Sequence, residues 1–231
     1  MSFRTSELAA DARVRRGLEA QLGERERLLA AGAEPLGWKL GFGAPAAMEK
    51  LATAAPLIGF LTSRSVAQPG PVSVAGWAQP MLEPEIAVRV DADGGPGVST
   101  LALAFELADL DPPPDDVETI LAGNVFHRRL ILGPESQAAG IDLASTGAEI
   151  TVNGELTEVP DPQAATGAID ELLDHVGALL ASFGAELRSG EIVICGSLVP
   201  PIAVRAGDEV SYAVEGLGSL AVEIDGGSRG P

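Results

Sequence analysis

The chain has 231 residues and a formal net charge of −18, with 33 acidic against 15 basic side chains. A surface of that sign excludes nucleic acid or an anionic membrane as partner, since both need clustered Lys and Arg. Hydrophobic residues make up 46 % and aromatics 4 %, so the interior is built from Ala, Val, Leu and Ile. The lone Cys195 rules out an internal disulfide and, with no leader-like or membrane-spanning apolar run, sets the expectation of a cytoplasmic protein.

In chain order, residues 5–31 predict one helix, with Leu8, Val14, Leu18, Leu22, Leu28 and Leu29 on a stripe, Thr5 or Ser6 as cap and Gly32 as stop. "PLGWKLGFGAP" sets Lys39 between Gly37 and Gly41, a short helix follows near 45–53, and "PLIGFL" reads as a buried strand. Residues 82–90 show period two, with Leu82, Ile86, Val88 and Val90 on one face and Glu83, Glu85, Ala87 and Arg89 on the other. Pro84 cannot donate to a ladder, so this strand should begin at an edge or a bulge. "DADGGPG" (91–97) reads as a turn, "STLALAFELADL" as an apolar run interrupted by Glu106, and "DLDPPPDD" (109–116) as a stiff loop. "EITVNGELTEV" predicts a hairpin closed by Asn153-Gly154. Residues 168–183 predict the clearest helix, with Gly184 as stop, and the remainder reads as consecutive strands in a twisted antiparallel system ending in a tail, "GGSRGP". One domain is expected: a helical portion at 1–55, a β-rich portion at 56–225 and a tail at 226–231.

Glu83 and Glu85, aimed the same way, and Glu106, an ionised group among apolar neighbours that must find compensation, supply three hard oxygen ligands suited to Mg²⁺ or Mn²⁺. The same E-x-E spacing also fits a solvated strand face. Lys39 reads either as an amine held among apolar residues for an anionic ligand, or as a snorkelling surface lysine. His127, beside Arg128 and Arg129, and His175, on the long helix, read as structural, as does Cys195 in "EIVICGS".

"GWKLG", "PLIGFLTS", "EPEIAVRV", "AFEL" and "LRSGEIVICGSLVPPIAVRAGDEVSYAVEGLGSLAVEI" occur in an order that resembles the fumarylacetoacetate hydrolase superfamily, in its 2-keto-4-pentenoate hydratase and 4-oxalocrotonate decarboxylase branch. The resemblance implies an α+β fold, a mixed β-roll with an N-terminal helix and one long helix packed on the sheets. It implies a divalent metal, Mg²⁺ or Mn²⁺, on Glu83, Glu85 and Glu106, with Lys39 as proton carrier or carboxylate clamp and Asn124 and Ser197 as substrate contacts. It further implies a homo-oligomer, a dimer or larger, that hydrates a 2-hydroxypenta-2,4-dienoate-like acid in aromatic compound catabolism. Decarboxylation, tautomerisation or C–C hydrolysis of a related 2-oxo acid, or a catalytically silent acid-binding relative, stay open. The chain departs from the family's A-D-N-A-S segment at "AGNVFHR", with Gly123 for the acidic residue and Phe126 for the serine. It also places Arg64 where an acidic residue is often found.

Overall fold

The computed structural model describes residues 3–68, 70–91, 97–113, 115–139 and 141–226. The chain opens with α1 (Thr5–Ala10) and α2 (Ala12–Ala30), two helices where the apolar stripe predicts one. The break lies at Asp11, which takes extended backbone (φ −67°, ψ 123°) and accepts a 2.8 Å bond from the Arg13 amide, so its carboxylate caps α2. Periodicity survives such a cap, because Leu8 before it and Val14 and Leu18 after it are all buried.

Next come β1 (Pro35–Gly41), α3 (Pro45–Leu51), β2 (Leu57–Thr62), β3 (Val72–Ser73), β4 (Pro80–Val90), β5 (Val98–Asp109), α4 (Val117–Ala122) and β6 (His127–Gln137). The rest comprises β7 (Ala148–Val152), β8 (Glu155–Val159), α5 (Pro162–Thr166), α6 (Ile169–Ala181), β9 (Ile192–Ser197), β10 (Ile202–Ala203), β11 (Glu209–Val214) and β12 (Gly218–Asp225). A seven-stranded sheet runs β2-β1-β9-β4-β5-β6, with β10 also on β4, and a five-stranded sheet runs β3-β12-β11-β7-β8. This is the expected α+β arrangement of mixed sheets, and among the described residues neither sheet closes into a barrel. No helix among the described residues is long and apolar enough to cross a membrane.

Two expectations need correction. The portion read as helical contains β1, a strand inside the large sheet. The C-terminal strands do not form one antiparallel system either: β9 pairs in parallel with β1 and antiparallel with β4, while β11 and β12 belong to the other sheet. The burial patterns give the reason. β9 carries a buried apolar run from Ile192 to Cys195, whereas β11 alternates buried with less buried positions as a one-sided strand does. The Asn153-Gly154 hairpin forms as predicted, with both residues at positive φ (51° and 87°). The 91–97 turn falls mostly, and the "GGSRGP" tail almost wholly, outside the described residues.

β4 begins inside the sheet rather than at an edge, and Pro84 is in regular register with Phe105 of β5. The bulge beside it belongs to β9, which advances three residues, from Ile194 to Ser197, against two of β4, from Ala87 to Glu85. The β4–β9 register shifts between Glu85 and Ala87, and the Leu198 amide donates to Pro84 O at 2.9 Å. The Pro84 nitrogen therefore faces the interval between β10 and β9, where no donor is required. On the other flank the ladder is opened by a residue of the second sheet. Glu85 and Ala104 lie directly opposite each other on β4 and β5, and the buried Tyr212 hydroxyl of β11 stands between them. It accepts from the Ala104 amide at 2.7 Å and donates to Glu85 O, while the ring packs edge-on against Phe105 at 5.0 Å. Tyr212→Phe strands a buried amide and a buried carbonyl, so it should cost about 1–3 kcal/mol in urea unfolding at an unchanged denaturant slope.

α6 buries Leu172, Leu173, Val176, Leu179 and Leu180. His175 on the same helix has the expected structural role: Nδ1 lies 2.8 Å from Thr5 Oγ1 and Nε2 2.9 Å from Pro56 O, tying α1 and the start of β2 to α6.

Candidate metal centre

Strand period and strand register together build this site. Glu83 and Glu85 share a face of β4, and the β4–β5 register sets Glu106 directly across from Glu83. One carboxylate oxygen from each of Glu83, Glu85 and Glu106 lies within 4.8 Å of the others. Glu85 and Glu106 are fully buried and Glu83 is half-buried.

The remaining oxygens are unequally used. Glu106 Oε1 accepts from Lys39 Nζ at 2.6 Å and lies 2.8 Å from His127 Nδ1, whereas its Oε2 is buried without a partner. Glu85 Oε2 accepts from the Gly196 amide at 2.8 Å, and its Oε1 is likewise buried and unpartnered. Ser197 Oγ, on the residue that pairs with Glu85, is a third buried orphan. Orphaned buried acceptors are costly, so two of them on converging carboxylates mark a place built for something else to occupy. A hard divalent cation fits: oxygens on opposite sides of Mg²⁺ stand about 4.2 Å apart, and on opposite sides of Ca²⁺ about 4.6–5.2 Å apart.

The charges agree with that reading. Burial raises the Glu83 carboxyl, the nearby Glu106 raises it further, and Lys39 opposes both, leaving it at about 7. Burial first, then Glu106 and Glu83, push Glu85 well above the carboxylate range. Burial acts on Glu106 in the same direction, yet Lys39 and His127 outweigh it and hold that carboxyl down at about 2. Lys39 is itself buried; desolvation favours its neutral form, but the three carboxylates, Glu106 foremost, keep its ammonium charged. Lys39 and, at Glu85, the Gly196 amide offset only part of this, so Glu83 and Glu85 stay raised while Glu106 alone is held down.

Lys39 reaches the site because Gly59, its partner across β1 and β2, leaves room: a Cβ there would come within 2.9 Å of Lys39 Cγ and 3.0 Å of Asn124 Oδ1. Beside it the backbone takes an uncommon path, with Asn124, Val125 and Phe126 all left-handed (φ 55°, 52° and 62°). Such residues cost on the order of 1–3 kcal/mol each, and a β-branched valine is among the least tolerant. Asn124 holds the turn by accepting from the Phe60 amide at 2.7 Å and donating to Phe60 O at 3.0 Å. The turn delivers Val125 O to Lys39 Nζ at 3.2 Å, sends Phe126 into a cavity and starts β6 with His127 facing Glu106.

That cavity, about 550 Å³, is lined by Lys39, Glu83, Cys195 and Ser197 at the carboxylate cluster. Asn124, expected at the substrate, does not line it; both ends of its amide are spent on Phe60. Arg64 donates to Ala31 O at the end of α2, outside the cavity. Cys195 is buried and its thiol is driven far up by burial, so it is no nucleophile. His127, read from sequence as structural, touches Glu106. The one signal for it was Glu106 itself, a carboxylate among apolar residues that had to find donors.

A model of the fumarylacetoacetate (FAA) hydrolase C-terminal family matches residues 39–225. The chain belongs to this family. Among curated relatives, a 2-hydroxyhexa-2,4-dienoate hydratase of Comamonas testosteroni is 27 % identical over 211 residues, covering 84 % of this chain and 80 % of that one. A 4-oxalocrotonate decarboxylase of Pseudomonas putida is 28 % identical over 214 residues, covering 87 % and 81 %. Among solved structures, the 4-oxalocrotonate decarboxylase from Pseudomonas putida G7 complexed with magnesium and adipate superposes with a TM-score of 0.81 at 21 % identity, covering 97 % of this chain and 90 % of that one. The FAA hydrolase fold thus extends beyond the matched segment to the N-terminal helices.

Proposed function

We propose that this FAA hydrolase family member is a divalent-metal-dependent lyase, loaded with Mg²⁺ or Mn²⁺, that adds water to a 2-hydroxypenta-2,4-dienoate-like acid to give a 4-hydroxy-2-oxo acid. The observation that carries the reading is the convergence of Glu83, Glu85 and Glu106 within 4.8 Å, two of them with orphaned buried oxygens, against a buried ammonium at the end of a cavity. Relatives named hydratase and decarboxylase support an enzyme of this type, and solved neighbours complexed with magnesium, calcium and manganese support the cation.

In this reading Glu83, Glu85 and Glu106 would hold the ion, which when bound would supply Lewis-acid polarisation of a 2-oxo acid. Lys39 Nζ, charged and desolvated, holds the substrate carboxylate or carries the proton that moves between the diene carbons and the enol oxygen. Glu106 Oε1 and Val125 O fix that ammonium, and His127 Nδ1 fixes Glu106 so that Oε2 stays free. Ser197 Oγ supplies an unspent hydroxyl to a substrate oxygen. Asn124 acts at one remove, holding the turn. The chain reads as one catalytic domain, since its buried apolar cluster runs from Leu8 to Ile224.

Decarboxylation, tautomerisation and C–C hydrolysis would use the same cation, so products decide. With Mg²⁺ and 2-hydroxypenta-2,4-dienoate, proton NMR should show the 4-hydroxy-2-oxo acid accumulating. Consumption only of the carboxylated analogue, with release of CO₂, would replace hydration by decarboxylation.

The carboxyl shifts also fix a pH dependence. Glu83 (about 7) and Glu85 lie above the ordinary glutamate value of about 4.3 in the folded protein, so the folded state holds more protons than the unfolded one. Their contribution to metal-free stability is therefore full below that value and is lost as pH rises through the folded ones. A bound dication replaces those protons. The rise in melting temperature on adding Mg²⁺ should be small at pH 5 and grow steadily to pH 8 in scanning fluorimetry; a gain independent of pH would contradict the assignment.

A further inference from the structure

We infer that the substrate carries an extended apolar tail, not a second carboxylate, and that the wall of the cavity away from the carboxylates receives it. The inference rests on the metal-dependent 2-oxo acid reading above and specifies the substrate class of that site.

Size is the first argument. A five-carbon hydroxydienoic acid has about eight heavy atoms, and even at a water's share of liquid volume for each, roughly 30 Å³, it fills no more than about 240 Å³. The cavity is about 550 Å³, within the roughly 300–1,000 Å³ typical of sites for much larger ligands. Less than half of it is accounted for.

Chemistry is the second. Beyond the metal centre the lining comes from Phe42, Phe126, Leu110 and Leu172, from α3 and from the α5 residues Ala165 and Thr166. Phe42 and Phe126 both sit at positive φ (56° and 62°), and their rings lie 6.3 Å apart, so two strained backbone positions are spent on presenting aromatic surface to this space. Among the described residues the lining holds two cations. Lys39 is already engaged by Glu106, and Lys50, in the last turn of α3, is an exposed residue. A carboxylate carried into the apolar part would be desolvated without a buried partner, whereas a hydrocarbon tail gains with each methylene buried.

The test is calorimetric titration of the Mg²⁺-loaded protein with pyruvate, 2-oxohexanoate, 2-oxooctanoate and 2-oxoadipate. Kd should fall roughly three- to fourfold per buried methylene, so by about 200- to 1,000-fold from pyruvate to 2-oxooctanoate if all five added methylenes are buried. 2-Oxoadipate should bind more weakly than 2-oxohexanoate, which has the same number of carbons. Equal affinity along the alkyl series, or tighter binding of 2-oxoadipate, would overturn the tail while leaving the metal reading intact. If no acid binds, pyruvate included, the metal reading fails and the tail with it. Ala47→Trp, on α3 in the lining, should bring the ratio of 2-oxooctanoate to pyruvate affinity towards one in a protein that melts normally; an unchanged ratio would also overturn the assignment.

Discussion

Glu85→Gln and Glu106→Gln should both abolish tight Mg²⁺ binding, yet only Glu106→Gln should destabilise the metal-free protein. Each removes one of three converging carboxylates, so the loss in affinity should exceed the ~10–100-fold seen when only an outer partner of a ligand is removed. Their fates differ because Lys39 chooses between them. Its ammonium sits 2.6 Å from Glu106 and makes no hydrogen bond to Glu85. Glu106→Gln leaves a buried cation without its closest counter-charge, which should cost about 3–5 kcal/mol. Glu85→Gln removes a carboxyl that burial and its acidic neighbours already disfavour as an anion, while the amide oxygen still accepts from Gly196. In EDTA, Glu85→Gln should unfold at the same or higher urea concentration than the parent, and Glu106→Gln well below it. Equal destabilisation by the two would mean that Lys39 does not compensate Glu106 more strongly than Glu85.

Lys39→Met should lower kcat by about 10²–10⁴, the range lost with a positioned proton donor, while leaving the Mg²⁺ dissociation constant within about tenfold of the parent. The split follows from charge. Removing the ammonium makes the cluster more negative, so the cation loses a competitor rather than a ligand. Glu106 keeps His127 on Oε1 but loses the largest influence holding its carboxyl near 2. Lys39→Arg should not rescue turnover. Gly59 leaves the stem so little space that a Cβ would collide with it, and a planar guanidinium cannot take the place of one compact ammonium between Glu106 Oε1 and Val125 O. Retention of turnover within threefold in Lys39→Met would assign the residue to packing.

The parts of this site that depend on local rules were visible in the sequence. Period two put Glu83 and Glu85 on one face, and the unlikeness of Glu106 to its neighbours marked it as a residue in need of partners. What could not be read was the register across β4 and β5. A shift of one residue would have turned Glu106 away from Glu83, and the sequence between the strands, "DADGGPG", names no single turn type from which to read the register. The same limit hid His127, which meets Glu106 only through the β5–β6 ladder. The left-handed run at 124–126 escaped because Val125 and Phe126 disfavour it locally, and the bonds of Asn124 to Phe60, 64 residues away in sequence, and of Val125 O to Lys39 are long-range. Asp11 shows the reverse case, a short-range cap that the longer apolar stripe concealed. The placement of β9 inside the large sheet was readable in principle, since its unbroken apolar run differs from the alternation of β11.

The phenol of Tyr212 makes the two layers mechanically dependent. Its oxygen completes the hydrogen bonding of β4 and β5 beside Glu85 although it is carried by β11, so the second sheet sets how far apart those strands stand where the acids converge. A lesion on the far side of the molecule, in the β11–β12 hairpin or its packing, would therefore be felt as a slackened grip on the cation.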